Sequence, residues 1–235
     1  MRYEFLASDF DGTIAEDGKV SKATLAALQR WKAHGRKFVL VTGRLLNDLF
    51  HTFPEYEICD LIVGENGALF YTTKTKSTTH LASAPPEMFV DLLRARLVVP
   101  PMVGLSIVAA MRAEDAVIVR TLQERGLDWQ LIYNKEAVMV LPPGVDKGTG
   151  LRAAFHAMGW DPALAAGVGD AENDLPLLAA CGFAVSVANG IPELQEHADL
   201  VTKGIAGAGV QELIDHLLSD RPEGSDRPEM RPSAS

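Results

Sequence analysis

The chain has 235 residues, 47% of them hydrophobic and 23% charged, with a net charge of −9 and a pI of about 5.1. That length holds one well-buried core with a modest insert, and the acidic balance disfavours a nucleic-acid partner, which needs a clustered positive surface. An anionic small molecule stays possible, because a metal ion and a few placed cations reverse the local field.

No apolar run approaches membrane-spanning length, so no membrane partner is expected. The start, Met1 to Leu6, runs directly toward Asp9 without a signal-peptide core. Cys59 and Cys181 lie far apart in apolar surroundings and read as buried free thiols. A cytoplasmic protein, monomer or homodimer, is expected. The six histidines show no metal-ligand spacing.

Phe5-Leu6-Ala7 predicts a first strand leading into Asp9-Phe10-Asp11-Gly12-Thr13. Period-two alternation puts Asp9 and Asp11 on one side and Phe10 toward the core. A carboxylate at a strand end can be a nucleophile, and one two residues on can move protons, although Asp-Gly is equally a turn dipeptide. Ser21 predicts an N-cap, Leu25, Leu28 and Trp31 a helical face, and Gly35 its stop. Phe38 to Val41 predicts a buried strand ending at Thr42-Gly43-Arg44. There a hydroxyl and backbone N–H groups suit phosphate oxygens, or Thr42 simply caps a helix. Leu61 to Val63 and Ala68 to Tyr71 predict strands around the turn Glu65-Asn66-Gly67.

Thr72 to Thr79 is polar and reads as a linker. Residues from Pro85 to Leu141 then form their own set. Helices are predicted at Met88 to Leu97 and Ala116 to Arg125, and a strand at Leu105 to Met111. A hairpin, Trp129 to Tyr133 with Ala137 to Leu141, turns at Asn134-Lys135-Glu136. Ser106, Asn134, Lys135 and Glu136 are the polar candidates of this insert.

After Pro142-Pro143-Gly144 the α/β pattern resumes. Lys147 opens a helix, either neutralising an anion or solvated at the surface; its flanking glycines lack P-loop spacing. Leu164 to Val168 predicts a strand ending at Gly169-Asp170, with Asn173 and Asp174 at the next helix start. Hard oxygen ligands crowded in this way suit magnesium, and acids also favour helix N-termini through the dipole. Glu172 reads as a solvated helix residue. Leu175 to Ala180 and Val210 to Leu218 predict helices, and Phe183 to Val185 and Leu200-Val201 strands. From Ser219 onward the Pro-, Ser- and charge-rich composition predicts a disordered tail.

Taken together, Asp9-x-Asp11-Gly12-Thr13, Thr42, Lys147 and Gly169-Asp170-x-x-x-Asp174 resemble, in order, the four motifs of the haloacid dehalogenase superfamily of phosphohydrolases. The likeness runs over nearly the whole chain except the tail. It implies an α/β fold: a Rossmann-like parallel-sheet core with a small α+β cap between the second and third motifs. The expected division is core at 1–75 and 145–218, cap at 76–144 and tail at 219–235. Only about 30 residues separate Asp11 from Thr42, too few for a lid there. The insert after Thr42, together with Asn66-Gly67-Ala68, is therefore similar to the Cof-like, or IIB, branch. In size it is similar to the caps of archaeal phosphoglycolate and sucrose-phosphate phosphatases.

The resemblance also implies roles. Asp9 attacks phosphorus, Asp11 protonates the leaving group and then activates water, and Lys147 and Thr42 hold the phosphoryl group. Mg2+ is held by Asp9, the Asp11 carbonyl, Asp170 and Asp174. Gly43, Arg44, Asn66 and Asn173 are expected around the substrate, a small phosphorylated metabolite such as a phosphosugar or phosphoglycolate. A phosphomutase of the same branch and a non-catalytic phospho-ligand sensor are the alternatives. Carbon–halogen hydrolysis fits less well, because it needs neither Asp11 nor a magnesium site.

Overall fold

The computed structural model describes residues 2–219. Its main layer is an eight-stranded sheet in the spatial order Leu200–Val201, Phe183–Ser186, Ala165–Gly169, Phe5–Ser8, Lys37–Val41, Leu61–Gly64, Leu69–Thr72 and Ser77–His80. All pairings from Leu200–Val201 across to Leu61–Gly64 are parallel, and the last two strands add an antiparallel edge. The central strands are apolar on both faces because helices cover both faces.

Alternation along each strand assigns its side chains. Leu6, Phe38, Leu40 and Ile62 face one way, where they meet Leu28 and Trp31 of helix Lys22–Ala33 and Val210 and Leu213 of helix Ala206–Ser219. Phe5, Val39, Val41 and Val63 face the other way, against Leu151 and Phe155 of helix Lys147–Met158 and Leu177 of helix Leu175–Ala180. Ser21 caps the first helix as expected, accepting from the Thr24 N–H at 3.0 Å, a bond worth about 1 kcal/mol. Trp31 is buried and donates its indole N–H to the Lys37 carbonyl at 2.9 Å. Truncating a buried tryptophan costs about 3–5 kcal/mol.

A second sheet has the order Gln130–Asn134, Ala137–Leu141, Val108–Met111 and Met102–Val103, all antiparallel. Helices Glu87–Arg96 and Asp115–Arg125 pack on one face, through Phe89, Val90, Leu93, Ile118 and Leu122 over Val108, Val138 and Val140. The opposite face sets Ile107, Met139 and Leu141 against Ala68 of the main layer. A two-stranded ribbon, Ala15–Glu16 with Lys19–Val20, stands just after Thr13.

Three expectations need correction. Thr72 to Thr79 is not a linker: Ser77–His80 pairs with Leu69–Thr72, so the main sheet continues past residue 76. All four residues of that edge strand are exposed, which leaves no apolar alternation to read. Cys59 is buried, but Cys181 is only partly so; both are free. Ser219 belongs to the last helix, and the remainder of the expected tail lies outside the described residues. No helix among the described residues is long and apolar enough to cross a membrane.

Candidate active site

The carboxyl ends of the parallel strands meet at one crevice, where ligands bind in open α/β sheets. Asp9 follows strand Phe5–Ser8, and its N–H extends the ladder to the Val168 carbonyl at 3.0 Å. Its side chain is 5% exposed. Phe10 is fully buried in the core, so Asp9 and Asp11 both line the cleft, as alternation predicted. Gly12 sits at φ +83, and a Cβ there would stand 2.4 Å from an Asp170 carboxylate oxygen. Only glycine lets these two loops close on each other.

Lys147 joins the acids. It begins the helix behind an N-cap by Asp146, whose carboxylate accepts from the Thr149 N–H at 2.7 Å. Its side chain is 0% exposed, and its ammonium donates to Asp9 Oδ1 and Asp174 Oδ1, each at 2.6 Å. The other Asp174 oxygen accepts from the backbone N–H groups of Asp170 and Ala171 at 2.9 and 3.0 Å. One side chain therefore both shapes the loop and enters the site. Thr13 Oγ1 donates to Asp170 Oδ1 at 2.9 Å. Thr13 closes the motif around Asp9 but was absent from the expected site residues, because a buried hydroxyl reads the same in a core as in a site.

The charges explain one another. Burial is the main force pushing the Asp9 carboxyl up, Asp174 adds to it, and Lys147 opposes. Burial also raises Asp170, and Lys135 lowers it. Burial works against the Lys147 ammonium, but Asp174 and Asp9 outweigh it and hold it above the ordinary lysine range. Asp9, Asp170 and Asp174 are all buried and offer oxygens within 4.8 Å of one another. A buried group of hard anionic donors short of positive charge fits a small divalent cation.

Arg44, expected around the substrate, lines the cleft and is also tied to neighbouring side chains. Its Nε and Nη2 donate to the two oxygens of Asp11 at 2.7 and 2.8 Å, and its Nη1 to Asp48 and Thr52 at 2.6 and 3.1 Å. The hydrogen bonds to Asp11 are the main reason its guanidinium is held above the ordinary range. Thr42 does not cap a helix. Its hydroxyl accepts from the Arg44 N–H at 3.1 Å inside the turn, while Leu45 occupies the N-cap position of helix Leu46–Thr52 with no side-chain cap bond.

Beside this turn, Asn173 Nδ2 donates to Asn66 Oδ1 at 3.0 Å, and both residues are buried. Among the described residues, Asn66 Nδ2 and Asn173 Oδ1 have no hydrogen-bond partner. Glu65, Asn66 and Gly67 all have positive φ, at 49°, 56° and 100°. A Cβ on Gly67 would stand 1.9 Å from the Asp146 carbonyl, so this turn sets the start of the Lys147 helix.

The second sheet closes the crevice from above. Met102, Asn134 and Met139 face Asp9, Asp11, Gly43 and Arg44 across a cleft of about 340 Å3. From the hairpin tip, Lys135 Nζ reaches Asp170 Oδ2 at 2.7 Å. The buried Glu65 carboxylate accepts from the N–H groups of Leu105 and Ser106, in the turn between strands Met102–Val103 and Val108–Met111, at 3.0 and 2.7 Å. Ser106 itself is buried and donates its hydroxyl to the Ala82 carbonyl, away from the cleft.

A family model described as haloacid dehalogenase-like hydrolase matches residues 6–98 and 121–214. The phosphoglycolate phosphatase of Methanothermobacter thermautotrophicus is 29% identical over 225 residues, covering 91% of this chain and 98% of that protein. That of Methanosarcina acetivorans is 26% identical, covering 94% and 99%. Among solved structures, a Thermoplasma acidophilum protein aligns with a TM-score of 0.79 at 15% identity, over 93% of this chain and 99% of that one. A haloacid dehalogenase-like hydrolase from Bacteroides thetaiotaomicron aligns at 0.75 and 17%, over 92% and 99%.

Proposed function

This chain belongs to the haloacid dehalogenase-like hydrolases, and from that premise we propose that it is a magnesium-dependent phosphatase that takes the phosphoryl group of a small phosphomonoester onto Asp9. The observation that carries the reading is the buried Asp9 carboxylate, bonded to Lys147 beside Asp170 and Asp174, at the floor of a lidded cleft. Relatives named phosphoglycolate phosphatase over nearly the full chain support a short phosphorylated carboxylic acid as substrate.

In the first step Asp9 attacks phosphorus, and the bond to the leaving oxygen breaks as Asp11 supplies its proton. In the second, Asp11 takes a proton from water, whose oxygen attacks phosphorus and releases phosphate and Asp9. Both Asp11 oxygens accept from Arg44, and each keeps a second lone pair that can carry the transferred proton. Lys147, the Thr42 hydroxyl and the turn N–H groups hold phosphoryl oxygens, and positioning of that kind is most of the catalysis in phosphoryl transfer. Asp9, Asp170 and Asp174, with the Asp11 carbonyl, would hold the ion. When bound, it offsets the repulsion between anionic nucleophile and anionic phosphate. The four-stranded sheet serves as the lid that limits water during the first step.

The test is turnover of an aryl phosphate with magnesium and with chelator, followed by acid quench and peptide mass analysis. Phosphate on the peptide containing Asp9 is expected. Rapid turnover with no labelled protein at any quench time would count against the covalent route.

A further inference from the structure

The cleft holds more negative than positive charge. Asp9, Asp11 and Asp48 line it, and Arg44 is the cation among its lining residues. Arg44 is committed to Asp11, Asp48 and Thr52. Lys147 is committed to Asp9 and Asp174 and fully buried. A leaving group that carried its own negative charge would meet Asp11 and Asp48 with no cation of the main layer to spare.

Lys135 is different. It sits at the hairpin tip between Asn134 and Ala137, which both line the cleft. Its side chain is 52% exposed, and among the described residues it donates one hydrogen bond, to Asp170. An ammonium has three donors, so two remain. The backbone there is at φ 52, a conformation that favours glycine or asparagine. Arg112 braces the tip, donating from Nη1 to the Lys135 carbonyl at 3.2 Å and from its N–H to the Glu136 carbonyl at 2.8 Å. A long cationic side chain is thus held at a left-handed turn position with its ammonium on the buried Asp170.

We propose that Lys135 is a substrate-binding, specificity-determining residue that receives a second negative charge on the leaving group, so that the preferred substrates are short phosphomonoesters bearing a carboxylate close to the phosphoryl group. The inference rests on the phosphatase reading above. One N–H stays on Asp170 while the outward donors meet the substrate carboxylate, and the lid thereby supplies the charge that the main layer lacks.

The experiment compares wild type, Lys135→Met and Lys135→Arg on 2-phosphoglycolate and on ethyl phosphate, with magnesium raised until the rate of each variant stops changing. Met keeps the side-chain length without the charge. Its KM for 2-phosphoglycolate is expected to rise about 10- to 100-fold, the range of a hydrogen bond to a charged group, with kcat changed less than about 3-fold. Ethyl phosphate kinetics should move less than about 3-fold, and Lys135→Arg should keep the preference. Equal losses on both esters, or none on either, would overturn the proposal. Wild type that turns over ethyl phosphate but not 2-phosphoglycolate would overturn it while leaving the phosphatase reading intact; wild type inert on both would overturn both.

Discussion

Replacing Lys147 with Met keeps most of the side-chain volume and deletes the ammonium between Asp9 and Asp174. Both contacts are 2.6 Å, and the three side chains are 0 to 5% exposed, so water cannot take the place of the lost charge. Removing one member of a buried ion-pair set costs about 3–5 kcal/mol. That is a large part of the roughly 5–15 kcal/mol that holds a typical domain together, and in a chain of this size it lowers Tm by about 6–20 °C. Linkage fixes the pH dependence. Burial and Asp174 already raise Asp9, and Lys147 opposes them; without Lys147 the carboxyl rises further. A carboxyl whose folded pKa exceeds its unfolded value binds more protons when folded. The deficit therefore persists above the variant's folded pKa and shrinks as pH falls through it toward the wild type's, which is itself raised. Urea unfolding of both proteins at about pH 8 and about pH 5, followed by circular dichroism, measures this directly. A deficit under about 1 kcal/mol, the scale of a surface pair, or one equal at both pH values would refute the reasoning.

Asp9→Asn should lower kcat by about 10⁴-fold or more while the circular dichroism spectrum is unchanged; near-normal turnover would dismiss Asp9 as nucleophile. Arg44→Gln should reduce kcat about 10-fold or more with little change in KM, because Arg44 orients Asp11; a change confined to KM would point instead to direct substrate contact. Glu65→Ala leaves the Leu105 and Ser106 N–H groups without their acceptor, so about 2–4 kcal/mol of stability should be lost, with new protease cleavage near residues 104–106. An intact digestion pattern would argue that the insert is anchored elsewhere. Magnesium at about 100 times its Kd should stabilise wild type by about 2.7 kcal/mol in calorimetry, and Asp170→Ala should abolish that gain.

Most of the main layer was legible because its signals are local. Ser21 and Gly35 bound one helix, and the run Phe38 to Val41 is apolar because both its faces are covered. Elements with no such signal escaped. The Ala15–Glu16 ribbon is two residues per strand, Ser77–His80 is polar throughout, and helix Pro192–Glu196 is a single turn. The residue types of the site were readable from their spacing, but their partners were not. That Arg44 pairs with Asp11, 33 positions away, depends on where helix Leu46–Thr52 sets Asp48. Likewise Lys135 stood among four polar candidates of the insert, and only the packing of the hairpin over Gly12 and Asp170 singles it out.

The Glu65-Asn66-Gly67 turn bears on how such a protein can diversify. One residue grips the turn between strands Met102–Val103 and Val108–Met111 of the second sheet, the next supports Asn173, and the third lets the Lys147 helix start at the right depth. Beyond that grip, the second sheet touches the reaction chemistry at few points, among them the Lys135 tip and Met139 over Gly43. Its outer helices and remaining strands can change without disturbing Asp9. A lineage can thus exchange selectivity by rewriting one hairpin, provided each new version still offers two backbone N–H groups to Glu65.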